Sequence, residues 1–88
     1  MVYIVSYDLR APGQRYDELI ELIKKEGSWA KLGESAYLIE SNASATELRD
    51  RFKPVLDGND RIYVGQVKTP AAWSGMTEGV SNWIKKKL

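Results

Sequence analysis

Asp8 closes a run of β-forming residues, "YIVSYDL" over residues 3–9, and two arginines, Arg10 and Arg15, flank the short Pro12-Gly13 loop behind it. A carboxylate at a strand end can hold a hard cation such as Mg²⁺ through oxygen, and the cation can activate water and offset phosphate charge. Guanidinium groups alongside would meet the phosphates of a nucleic acid, and amides at a helix start near Gly13 would favour an anion. The same residues also have an architectural use. A strand-end aspartate can cap the next loop by accepting from the amides of Arg10 or Ala11, and the arginines can pair with Asp8, Asp17 or Glu18. Both readings stand on the sequence alone.

A second group lies at the other end of the chain. Lys85, Lys86 and Lys87 form a basic run that can touch nucleic acid, although cations also suit the negative end of a helix dipole. Trp73 and Trp83 could stack on bases, but their placement in a tail suits stapling that tail to the rest of the domain. Ser6 beside Tyr7 and Asp8 makes no serine-hydrolase constellation, because the chain has no histidine and the pattern is not a nucleophile elbow.

Composition narrows the chemistry further. With neither cysteine nor histidine, thiolate nucleophiles, disulfides, Cys-based zinc sites and the usual neutral-pH general base are all excluded. Carboxylates, Lys, Tyr, Ser and Thr are what is left. A net charge of +1 supplies no global attraction to a polyanion, only the chance of a local patch. Neither a signal-like N-terminus nor a long apolar run occurs, so the expected location is the cytoplasm, away from the membrane.

The elements that must position these residues follow from periodicity and punctuation. Val2–Tyr7 is almost entirely β-branched or aromatic and reads as a central strand. Ala11-Pro12-Gly13 breaks it. Tyr16, Leu19, Ile20 and Ile23 then share one face of a helix expected over residues 14–26, with Gly27 placed to end it. Ser28–Leu32 and Glu34–Ser41 read as a hairpin, with Gly33 expected at positive φ. "SATE", Ser44–Glu47, is a capping box that starts a helix with Leu48, Phe52, Val55 and Leu56 on its buried stripe. Pro54 should kink or tighten its last turn. The turn Asp57-Gly58-Asn59-Asp60 leads to a strand, Arg61–Val67, with Ile62 and Val64 on one face. Thr69-Pro70 is expected to cap a short helical turn through Trp73. A last helix over Thr77–Lys87 would present Val80, Trp83 and Ile84.

The order β-α-β-β-α-β with a helical tail predicts an α+β, ferredoxin-like sandwich: residues 1–67 as the domain and 68–88 as an extension packed on it or on a partner. Both helices would cover one sheet face. Tyr3, Tyr7, Trp29, Tyr37 and Tyr63 make a fully solvated second face an unfavourable arrangement, so a homodimer through that face is expected, with the tail covering part of it.

Tyr7-Asp8-Leu9 at the end of an apolar first strand, Gly58-Asn59-Asp60-Arg61 and Ala71-Ala72-Trp73 together resemble the CRISPR-associated protein two and virulence-associated protein D family, nearest to its uncharacterised small bacterial and phage relatives. The resemblance implies a symmetric dimer in which first-strand aspartates approach across the two-fold. It also implies Mg²⁺ at Asp8 for phosphodiester hydrolysis in some members, and a non-catalytic DNA-binding role in CRISPR adaptation. The expectation is a small dimeric protein binding RNA or DNA, at most a weak Mg²⁺-dependent endonuclease, with Asp8 as metal ligand and Arg10, Arg15 and the lysine run as nucleic-acid contacts. The competing expectation is a non-enzymatic regulatory or host-modulating module that binds a protein or small ligand. Missing His and Cys and the balanced charge favour the latter over an efficient enzyme.

Overall fold

Alternation along the first strand decides the layering. In a computed structural model that describes residues 1–10 and 16–88, β1 spans Val2–Asp8. Successive side chains of a strand point to opposite faces. Tyr3, Val5 and Tyr7 enter one core, while Val2 and Ile4 enter another. Asp8 is itself the last strand residue, one position beyond the apolar run.

Four strands form one antiparallel sheet in the order β2-β3-β1-β4, where β2 is Trp29–Gly33, β3 is Ala36–Glu40 and β4 is Arg61–Val67. With the helices α1 (Tyr16–Lys24), α2 (Ala45–Phe52) and α3 (Glu78–Lys87), the fold is α+β with element order β-α-β-β-α-β-α. β1 pairs without interruption with β4, from Val2 opposite Val67 to Asp8 opposite Arg61.

The inner layer joins α1 and α2 to the sheet. Leu19 and Ile23 from α1, Leu48 and Phe52 from α2, and Val5 and Ile39 from the sheet have no or almost no exposed surface. Burying each such side chain is worth about 1.5–3 kcal/mol. The capping box forms as the sequence predicts. The Glu47 amide donates to Ser44 Oγ at 3.1 Å, and the Ser44 amide donates to the Glu47 carboxylate at 3.1 Å. These two bonds hold the Glu47 carboxyl below the usual carboxylate range. Pro54 tightens the chain into a 3₁₀ turn, Lys53–Val55, and Val55 and Leu56 are only partly buried there.

One detail of the strand–turn plan differs from expectation. Gly33 does not take positive φ; it lies within β2, and a register shift between Lys31 and Gly33 absorbs the irregularity. Gly27 does, at +150°, and a β-carbon there would sit 2.6 Å from the Glu40 carbonyl oxygen, so both its conformation and its contact require glycine.

The outer layer is the C-terminal segment folded back over the sheet. Ile84, Val80, Trp83 and Leu88, together with Trp73, pack on Val2, Ile4, Leu32, Leu38 and Val67. No helical turn follows Thr69-Pro70; residues 68–77 run irregularly under the sheet, and Trp73 is fixed by its indole N–H donating to Ser81 Oγ at 3.0 Å. Burial of an indole on the sheet wins over a local cap. Trp83 donates to Ser28 Oγ at 2.8 Å, and Thr77 caps α3 by accepting from the Val80 amide. Both tryptophans staple the tail. Among the described residues, no helix is long and apolar enough to cross a membrane.

Tyr63 is the only one of the expected second-face aromatics that lies there. Tyr3, Tyr7 and Tyr37 belong to the inner core, and Trp29, opposite Ile39, stacks at a tilt on Tyr37 under Lys24. The second face is covered by aliphatic side chains and the tail instead.

Candidate functional site

The tail stops short of the sheet's far end. Ser6, Asp8, Arg61 and Tyr63 lie on the same outer face, since Ser6 is opposite Tyr63 and Asp8 opposite Arg61 across the β1–β4 ladder. All four are exposed, and they line a shallow cleft of about 310 Å³. Tyr63 is 66% exposed, a high value for a large aromatic on a sheet.

Its ring lies beside Gly65 of the same strand. A β-carbon placed on Gly65 would come within 2.6 Å of Tyr63 Cε1, so the ring lies along the strand over Gly65 and turns its free surface outward. A larger residue at position 65 would displace it. Aromatic rings presented flat on an open sheet are the platforms on which unpaired bases stack.

Charge at this end is arranged by the loops. Asp8 Oδ2 sits 3.0 Å from Arg10 Nε, with both side chains about half exposed. The carboxylate that accepts the Arg10 amide is Asp60, at 3.0 Å, and its second oxygen accepts the Asp57 amide at 3.0 Å. Asn59 donates its amide to Asp57 at 2.9 Å. Asp60 therefore clips the loop after β1 to the turn before β4, the role that the sequence offered to Asp8. Asp60 escaped notice as a functional residue because "DGND" already explained it as a turn.

Asp8 is left as one carboxylate beside one guanidinium. Among the described residues, no group of three or more carboxylates converges on a point where a metal ion would sit. Arg61 has no carboxylate at ion-pair distance among the described residues, so its guanidinium is available to an anion. Tyr7, on the inner side of the same strand, is unsuited to proton transfer at neutral pH: burial, with Tyr37 and Tyr16 nearby, pushes its phenol up to about 12.

The remaining sequence candidates fall elsewhere. Arg15 and the Pro12-Gly13 loop lie outside the described residues. Lys85, Lys86 and Lys87 close α3 at the opposite end of the sheet, the length of the seven-residue β1 away from Asp8, about 20 Å. Lys87 is held by Glu40 at 3.0 Å, whereas Lys85 and Lys86 are exposed. Asp8 and Arg10 are thus brought together, and the lysine run is kept apart from them.

No protein-family model matches the chain. Among solved structures it is similar to the hypothetical protein TT1823 from Thermus thermophilus, with a TM-score of 0.67 and 25% identity over 85% of this chain and 90% of that one. The likeness spans nearly the whole of both chains. It extends the architecture to a second protein and attaches no activity to it.

Proposed function

We propose that this is a ferredoxin-like nucleic-acid-binding protein that recognises single-stranded RNA or DNA on the open end of its outer sheet face, without efficient catalysis. The fold part rests on the split arrangement: β3 lies between β1 and β2, and β1 lies between β3 and β4, as two interleaved βαβ units require. α3 is an addition to that plan. The arrangement also agrees with the resemblance of Tyr7-Asp8-Leu9 and its surroundings to the CRISPR-associated protein two family.

The observation that carries the reading is Tyr63, 66% exposed beside Gly65 and on the same face as Arg61, which meets no carboxylate among the described residues. A base stacks on the ring while Arg61 and Arg10 meet the adjoining phosphates. Asp8 remains the group that would bind Mg²⁺. Its ion pair with Arg10 competes with a cation, which supports binding rather than turnover.

Fluorescence anisotropy with short single-stranded RNA and DNA at low salt tests this. Binding should weaken steeply as salt rises. Tyr63→Ala should lose about 1–3 kcal/mol of affinity at every salt concentration, as stacking does. Arg61→Ala should flatten the salt dependence. Equal binding by Tyr63→Ala and the parent protein would overturn the site. In the same samples Asp8→Asn separates binding from cleavage: any Mg²⁺-dependent cleavage should vanish while affinity is kept.

The second reading, a module that binds a protein or small ligand, gains support from the neutralised Asp8. An absence of nucleic-acid binding at low salt would favour it.

A further inference from the structure

The tail covers its end of the outer sheet face without filling all the space beneath it. A cleft of about 150 Å³ remains between them, lined by one apolar residue from each strand, Ile4, Leu32, Leu38 and Val67, and by Trp73 and Ile84 of the tail. Close-packed interiors hold few voids larger than a water molecule. Ala71 and Ala72, both exposed, form its rim, where larger side chains would close it.

The lining suits an apolar occupant. Ile4, Leu32, Val67 and Trp73 are only partly buried, so apolar surface is left uncovered around the cleft. The Trp73 indole N–H is the one polar side-chain group in the lining, and Ser81 Oγ already accepts from it at 3.0 Å. An ordered water needs two to four polar partners, and the side chains here supply none. An aliphatic-lined cavity of about this volume takes a molecule the size of benzene.

A second cleft, about 320 Å³, adjoins the first and shares Val67 and Leu88 with it. Beyond those two residues its character changes. Gln66, Lys68, Thr69, Glu40 and Lys87 line it. Glu40 is engaged by Lys87 at 3.0 Å, whereas exposed Lys68 has no carboxylate at ion-pair distance among the described residues. The Thr69 hydroxyl and the Gln66 amide add hydrogen-bond donors. The apolar cleft thus leads, one residue along the chain from Val67, to a cation without a counter-charge.

We propose that the two clefts form one site for a small amphiphilic carboxylate, with an aliphatic or aromatic body of about six carbons under the tail and its carboxylate on Lys68. One uncompensated cation matches one negative charge. Burial of the body sets the affinity, since each methylene removed from water is favourable wherever it sits. The exposed ammonium selects among head groups of equal chain length and does so more weakly as salt rises. The site lies toward the Val2 end of the β1–β4 ladder, while Tyr63 and Asp8 lie toward the other. It therefore stands independently of the nucleic-acid reading.

Nuclear magnetic resonance on the full chain, labelled with ¹⁵N and titrated with hexanoate at low salt, tests this. Saturable shifts should appear at the amides of Ile4, Lys68, Ala71 and Ala72 and at the Trp73 indole. Each methylene added from butanoate to hexanoate should tighten binding about fourfold. Hexanol should bind more weakly than hexanoate, and hexylamine more weakly still. Lys68→Gln should remove the preference for hexanoate over hexanol, a change of up to about fivefold for an exposed ion pair, and leave hexanol binding as it was. Ala72→Leu should fill the cleft and abolish binding of both, and Ala71→Leu provides a second filling variant; circular dichroism verifies that each keeps the fold. Absence of saturable shifts around Ala71, Ala72 and Trp73, or hexanoate binding that neither filling variant weakens, overturns the site. Equal binding of hexanoate, hexanol and hexylamine overturns the assignment of a carboxylate.

Discussion

The outer face of the sheet has a sealed end and an open end, and the same strand, β1, runs through both. At the sealed end Val2 and Ile4 meet Ile84, Val80 and the two tryptophans of the tail; at the open end Ser6 and Asp8 meet solvent, Arg61 and a solvent-facing Tyr63. The difference teaches where stability ends and recognition begins. Apolar area removed from water holds the tail in place. The polar residues further along the strand contribute almost nothing to that packing and are free to contact something else.

The largest effect belongs to the sealed end. Ile84, 3% exposed, is the buried residue of α3, and Ile84→Ala should cost about 2–5 kcal/mol through lost burial and the cavity left behind. Urea unfolding measures it, and a loss below about 1 kcal/mol would mean that the tail is not part of the cooperative unit. Trp83→Phe keeps an aromatic ring but removes the indole donor to Ser28 and part of the indole's area, so at least about 0.5–1.5 kcal/mol should be lost. If Trp83→Phe and Ser28→Ala together cost no more than either alone, that bond is the whole effect.

An alkaline titration probes the strand between the two ends. The folded state keeps the Tyr7 phenol protonated up to about 12 against an ordinary value of 10.0, so the unfolded chain gives up its proton first. The stability from this source is complete below pH 10, falls as pH rises from 10 to 12, and is gone above that. Tyr7→Phe should therefore lose less stability than the parent protein across that window. Little else should change at neutral pH, since the phenol's 3.4 Å contact with the Glu34 carbonyl is long for an O–H donor.

The smallest effect on stability, and the one that most sharpens the contrast, is Tyr63→Ala. The ring is mostly exposed, so unfolding should change by no more than about 0.5 kcal/mol while nucleic-acid binding suffers. A large stability loss there would make Tyr63 an element of packing and erase the distinction between the ends.

Local features were legible in the sequence for a physical reason: their partners are near in the chain. The capping box of Ser44 and Glu47 closes across three residues, Pro54 acts on its own turn, and the apolar spacing of Leu19, Ile23, Leu48 and Phe52 marks helix faces directly. The Asp8–Arg10 pair is equally local. The clip from Asp60 to the Arg10 amide crosses fifty positions, so the turn motif that contains Asp60 could not announce it.

By itself, then, the sequence determined the four strands and three α-helices, their order and the absence of any chemistry based on histidine or cysteine, because propensity, capping and composition are properties of short stretches. Tertiary structure decided which face each aromatic occupies, how far the tail reaches and which residues gather around Asp8. Strand parity sends Tyr3 and Tyr7 inward and leaves Tyr63 outside, and parity acquires a direction only when a second layer packs against one face. Ile84 and the tryptophans cover that other face as far as their own size allows, and Asp8, Arg61 and Tyr63 lie beyond their reach.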